Sequence, residues 1–349
     1  MRTNLLLLFF VLLVINSFAQ DKLAIGQWRS HLPYVVGQWV TQSDDKVYYA
    51  TDWSVISFDK AEMSVDFLST VEGLSNTGIR MIRYVDGSDI LIIVYNNSVI
   101  DLVKSDGIFT LNQIRNFQGI VGEKLIYDID VVNDSTVYLA TNYGVSKLNI
   151  RTNRFTFTTF TGVDTRSVRT FEGHLYIATD DGIYRTPENN PIIADITTWE
   201  ELGQQQGFPP VYSSNSMTVF QDHLYFTIND TLFRAQEDKL EKIRFEPGFD
   251  IQFLSSEGAH LLVGYRCVSG CARGKILYYN TDGSSGALAL DCVGIPNYAI
   301  EDAQGRVWIA DQFREFRMVN SVTDPVCNLI PINSPFSHFS REMTVYKNQ

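Results

Sequence analysis

The 349-residue chain is 45% hydrophobic and 13% aromatic but only 19% charged, a composition that fills a large core and excludes a disordered or fibrous protein. Asp and Glu outnumber Lys and Arg by 40 to 28, a formal net charge of −12, and no basic stretch follows a phosphate backbone, which argues against nucleic acid as a partner. Length alone leaves the domain count open between roughly two or three ordinary domains and one large all-β domain.

The chain opens with the three parts of a secretory signal. Arg2 precedes an apolar run from Leu5 to Ile15, and Ser17-Phe18-Ala19 places small residues at −3 and −1 of a cleavage site. Residues 1–19 are therefore expected to be removed, which takes away Arg2 and leaves a mature charge of −13. The alternative, a membrane anchor, needs ~20 apolar residues to span a bilayer, more than this run supplies. No Cys lies near residue 20, so no lipid-anchored start is indicated.

From residue 47 onward one pattern repeats. In register, the segments begin VYYATDWSVISF at Val47, LIIVYNNSVIDL at Leu91, VYLATNYGVSKL at Val137 and LYIATDDGIYRT at Leu175; LYFTINDTLFRA at Leu224, LLVGYRCVSG at Leu261 and VWIADQFREFRM at Val307 complete seven. The offsets are 44, 46, 38, 49, 37 and 46 residues, about 43 on average, the period of a propeller blade. Each segment reads as an apolar strand, a turn built on Asp, Asn or Gly, and a second alternating strand. A short strand ending in polar turn residues precedes it, as in VRTFEGH at 168–174 and MTVFQDH at 217–223, and a further strand follows, as in FTFTTF at 155–160. Four strands per period predict an all-β, seven-bladed β-propeller over residues 20–335. Only DITTWEELGQQQG, 195–207, hints at a helix; it is read as an insertion between blades that accounts for the longest offset.

Four cysteines, Cys267, Cys271, Cys292 and Cys327, fall in the last quarter of the chain. After export they enter a compartment where disulfides persist. Three pairings exist; a small loop closed within CVSGC would leave Cys292 for Cys327. No Cys-x-x-Cys pair supports a zinc site. The end of the chain, MTVYKNQ at 343–349, matches MTVFQDH and its turn. Residues 336–349 thus read as the start of a truncated second propeller, or else as a strand that closes the ring.

Chemistry-bearing motifs are scarce. His174, His223 and His260 each stand just before the central strand of their own repeat, so they spread around a ring instead of converging on a metal ion. There is no Gly-x-Ser-x-Gly elbow, no His-Glu-x-x-His and no phosphate-cradling glycine loop. No catalytic residue, cofactor or metal is assigned, and the chain is expected not to be an enzyme. A propeller hydrolase or lyase with carboxylates drawn from different blades is the remaining enzymatic reading. The expected binding surface is the rim carrying the turns between second and third strands, with the loops that lead into each first strand. Its candidate residues are Trp53, Asn97, Tyr143, Asp181 and Phe313. Turn geometry accounts for the Asn and Asp, whereas exposed aromatics suit stacking on a sugar or anchoring a protein.

The N-terminal run IGQWRSHLPY at 25–34, followed by VYYAT, VEGLSNTGI at 71–79 and NNSVIDLV at 96–103, resembles the PorZ family of the type IX secretion system of Bacteroidetes. The resemblance implies a seven-bladed first propeller, with the second propeller and C-terminal sorting domain of that family not present here. It also implies export to the periplasm or the outer-membrane cell surface, and partners in the sortase and other proteins of the attachment complex. The implied function is delivery of anionic lipopolysaccharide for anchoring secreted cargo. The VEGLSNTGI run and EDAQGRVWIAD at 301–311 also resemble the periplasmic propellers of hybrid two-component sensors, which implies the alternative of a glycan-sensing propeller.

Overall fold

The structure is a computed structural model that describes residues 32–236 and 239–332. The signal segment 1–19 and the terminal stretch 336–349 lie outside the described residues.

Seven four-stranded antiparallel sheets follow one another along the chain, each with its strands in sequence order. They occupy residues 37–69, 79–111, 126–160, 165–201, 217–245, 249–287 and 296–329, here blades 1 to 7. Every blade is built from one contiguous stretch, as the repeat predicts. The first strands are Gly37–Gln42, Ile79–Val85, Ile126–Asn133, Thr165–Phe171, Met217–Phe220, Phe249–Ser255 and Pro296–Glu301. Each packs beside the first strand of the next blade, and that of blade 7 packs beside that of blade 1, so the ring closes around a central channel.

The apolar runs are second strands, buried on both faces because each blade is sandwiched between two others. Ile90–Tyr95 is buried at all six positions. Side chains of neighbouring blades form shared cores, with Ile92 and Val94 of blade 2 packing with Ile129 and Leu139 of blade 3. At the seam between the chain's first and last blades, Val47 and Tyr49 join Trp308, Ala310 and Phe316, and the Tyr49 and Phe316 rings stack at 4.3 Å.

The recurrent Ala-Thr that ends several second strands acts as a turn clamp. Thr141 Oγ1 donates to Gly144 O at 2.8 Å and Thr179 Oγ1 to Gly182 O at 2.8 Å; Thr51 does the same toward Ser54 O at 3.2 Å. Gly144 is required there, since its φ is +141° and a Cβ would stand 1.9 Å from Thr159 O. On the opposite face, Glu172-Gly173 and Gln221-Asp222 take positive φ at both positions, the geometry of a type I′ hairpin turn.

Two local expectations change. Residues 195–207 are not an insertion between blades: they fold as two single 3₁₀ turns, Ile196–Thr198 and Gln204–Gln206, flanking Glu200–Glu201, which is the fourth strand of blade 4. Trp199 accounts for this path, because it is buried against Ile177 and Leu175 while its Nε1 donates to Ile193 O at 3.0 Å. In blade 6 the hairpin expected within LLVGYRCVSG is longer. Its second strand runs Leu261–Cys267 and its third begins only at Lys275, with a Cys267–Cys271 disulfide tying the connection. The second disulfide joins Cys292 to Cys327.

Candidate functional site

First strands line the channel, and their register carries its most regular feature. In six blades a β-bulge interrupts the pairing with the second strand at the same place: Gly37 pairs with Thr51 but Trp39 with Ala50, and Ile79 with Tyr95 but Met81 with Val94. The same slip recurs in blades 3, 4, 6 and 7. A bulge inserts one residue without a partner and re-aims its side chain. The residues so placed are Gln38, Arg80, Tyr127, Arg166, Gln252 and Asn297, and all six line one chamber of ≈ 350 Å³ at the channel end that carries the second-to-third-strand turns. Blade 5 has no bulge, because its first strand starts later, at Met217; Asn215 supplies its side chain to the same chamber. One polar or aromatic side chain per blade therefore converges there, with no carboxylate among them.

Within this ring the arginines differ. Arg166 is held by two carboxylates, with Nε and Nη2 each 2.8 Å from Asp180 and Nη2 2.9 Å from Asp164. Arg80 has no ion pair among the described residues; its guanidinium lies 5.1 Å from the centre of the Tyr127 ring, a cation–π contact that fixes its position. Tyr127 is itself anchored, its hydroxyl donating to Asp164 Oδ2 at 2.7 Å. Burial in the chamber wall pulls the Arg80 pKa below the usual guanidinium range, yet a guanidinium stays charged throughout the physiological range. The Gln38 and Gln252 carboxamides likewise make no hydrogen bond within the described chain, while Asn297 is spent on Gly37 O at 2.7 Å and Gln312 at 3.0 Å.

Toward the other face the channel continues as a second chamber of ≈ 450 Å³. Arg169 and Tyr298 border both chambers and form the waist between them. Here charges cancel. Arg169 Nη1 bonds Asp128 at 2.6 Å, Arg83 pairs with Glu257, and Asp130 accepts from the Thr170 amide at 2.8 Å and hydroxyl at 2.9 Å. Burial raises the carboxyl pKa of both Asp130 and Glu257. These bonds cross from blade to blade and lock the ring.

The five rim residues sit one per blade, and no hydrogen bond or ring contact joins any two of them. Trp53 is 40% and Phe313 68% exposed at their turn tips. Asn97 accepts from Val99 N at 3.1 Å and donates to Asn76 at 3.0 Å, and Asp181 is exposed in a turn held by Thr179. Tyr143 leans outward and packs 6.0 Å from Phe160, lining an apolar groove with Ile114 and Phe117. His174 and His223 bond local carbonyls on the opposite face, and His260 pairs with Glu301 of the next blade at 2.8 Å. No group of three or more His, Cys, Asp or Glu positioned for a metal occurs among the described residues. No helix of the described chain is long and apolar enough to cross a membrane.

A closed ring of seven four-stranded blades that brings one side chain from each to a single channel mouth defines a seven-bladed β-propeller. Residues 47–200 match the family model of the PorZ N-terminal β-propeller domain of the type IX secretion system. The structure of PorZ from Porphyromonas gingivalis, described as an essential bacterial surface component of that system, superposes with a TM-score of 0.72 at 16% identity, over 87% of this chain and 39% of that one. This chain therefore spans about two fifths of the solved PorZ. The extracellular domain of a putative one-component system from B. thetaiotaomicron is similar in fold, with a TM-score of 0.59 at 14% identity over 82% of this chain and 39% of that one. So are the WD40 repeats of RRP9, with a TM-score of 0.56 at 13% identity over 80% and 88%. No curated protein matches the chain in sequence.

Proposed function

We propose that the chain is the N-terminal binding module of a PorZ-type component of the type IX secretion attachment complex. It acts at the bacterial surface after export, without catalysing a reaction, by presenting anionic lipopolysaccharide to the sortase that anchors secreted cargo. The observation that supports this most directly is the bulge ring. An anionic glycolipid is a poor match for a chain of net charge −12, unless positive charge is presented locally, and in the chamber lined by the bulge residues Arg80 has no carboxylate partner among the described residues, whereas Arg166 and Arg169 are paired with Asp164, Asp180 and Asp128. The two disulfides fit an oxidising compartment.

Co-purification tests the reading. The full-length gene product, tagged in its native host, is expected to bring down the sortase, other attachment-complex proteins and lipopolysaccharide. Recovery of none of these, with the protein present at the cell surface, sinks it.

A further inference from the structure

The chamber lined by the bulge residues contains polar groups whose bonding capacity is not used among the described residues. Arg80 carries five N–H donors and, among the described residues, makes no hydrogen bond or ion pair but lies over the Tyr127 ring; Gln38 and Gln252 line the same space and their carboxamides make no hydrogen bond among the described residues. Placing these three on bulges is not needed for the blade sheets, which would pair more regularly without the extra residue. Arg166, by contrast, has its charge met by Asp164 and Asp180 and lies 4.6 Å from the centre of the Tyr127 ring.

We infer that this chamber recognises the terminal acidic sugar of a glycan, with Arg80 binding the anionic group and Gln38 and Gln252 binding ring hydroxyls. A guanidinium offers the parallel donor pair that a carboxylate or phosphate oxygen pair accepts. A carboxamide both donates and accepts, which suits neighbouring hydroxyls that do the same. With Tyr127 already flanked by two guanidiniums, charge and hydrogen bonding, not stacking on that ring, provide the contact. At ≈ 350 Å³ the chamber lies at the small end of ligand sites, which run ~300–1,000 Å³, so it takes a chain end rather than a stretch of polysaccharide.

The inference rests on the channel being a binding site and deepens the proposed function; it does not require that the glycan belong to a particular lipid. Soluble probes make the two separable. Glucuronic acid, glucose 1-phosphate, glucose and inorganic phosphate are titrated into the purified mature chain by calorimetry or by NMR. The acidic sugars are expected to bind at least tenfold more tightly than glucose or inorganic phosphate. Arg80→Gln should remove that preference, and Gln252→Ala should weaken both acidic sugars several-fold, with melting temperatures confirming that both variants fold. Equal binding of inorganic phosphate and glucose 1-phosphate overturns the sugar part of the inference. Unchanged binding by folded Arg80→Gln overturns the assignment of Arg80, and no binding of any probe overturns the site. If acidic sugars bind but the native-host pull-down recovers no secretion partner, the chamber stands and the proposed function falls.

Discussion

Trp39 of blade 1 lies flat against Tyr298 of blade 7, with ring centroids 3.9 Å apart and planes 13° from parallel. Both occupy the position just after a bulge, so the same irregularity that turns Gln38 and Asn297 into the channel turns these rings toward each other. The stack closes the ring where the chain itself provides no connection, helped by Gln42 Nε2 donating to Glu301 O at 2.9 Å. Aromatic pairs contribute ~0.5–1.5 kcal/mol beyond burial, and truncating a core Trp to Ala costs ~3–5 kcal/mol. Because Trp39 is partly exposed, Trp39→Ala is expected to lower the unfolding free energy by roughly 2–4 kcal/mol. Trp39→Phe should cost much less, since it keeps a ring and removes a buried Nε1–H that has no partner among the described residues. Urea unfolding of the two variants checks this; equal losses would show that the stack is not what joins the blades.

The seven blades were readable in the sequence because a second strand buried on both faces must be continuously apolar, as Ile90–Tyr95 is, and because Thr141 and Thr179 mark each turn in the same way. The bulge ring was not. A bulge is defined by two residues facing one on the partner strand, and a period-two reading of a single strand contains no partner to count against. Arg80 and Gln252 therefore look like ordinary polar positions in their strands, whereas Trp53 and Phe313 stand out at turn tips. The fourth strand of blade 4 was hidden for another reason: Glu200–Glu201 is two residues long, too short for any periodicity, and is held in place by the burial of Trp199.

The Cys292–Cys327 disulfide encloses the first three strands of blade 7 and ends at the residue before its outer strand, Asn328–Leu329. Cross-linking stabilises chiefly by restricting the unfolded chain, and more so for longer loops. With 35 residues between its ends, against 4 for Cys267–Cys271, the bond is worth about 4 kcal/mol and the smaller one about 2. Removing Cys292 and Cys327 together should therefore lower the melting temperature more than removing Cys267 and Cys271. The reverse order would mean that the loop of blade 6 carries structural weight beyond its length.

Burial sets the acid response of the channel. Asp130 holds its proton to higher pH in the folded chain than in the unfolded one because its carboxyl is desolvated. Between the unfolded and folded pKa values the folded state binds more protons, so this group's contribution to stability falls as pH rises through that window and is recovered on acidification. Asp130→Asn mimics the protonated form and keeps an oxygen for the Thr170 amide and hydroxyl. The variant should be at least as stable as the parent at pH 7, and its advantage should shrink as pH falls through the folded pKa. Thermal melts across pH 4 to 8 decide the matter. A variant markedly less stable at pH 7 would show that the Asp130 anion is needed beside Arg169.

Rim and chamber make separable demands. Trp53 and Phe313 are exposed on turns held by backbone and by Thr51 and Asp311, not by their own rings, so substituting them should change stability by no more than ~0.5 kcal/mol. If the rim is where a protein partner docks, exposed aromatics are the residues whose loss weakens binding most, by ~2 kcal/mol or more at a hot spot. The double variant Trp53→Ala, Phe313→Ala is then expected to lose capture of attachment-complex proteins from native-host membranes, while its affinity for acidic sugars stays at the parent value. Loss of both would place sugar and protein on one continuous surface. Loss of neither would remove Trp53 and Phe313 from recognition and leave the bulge ring as the binding feature to pursue on this face.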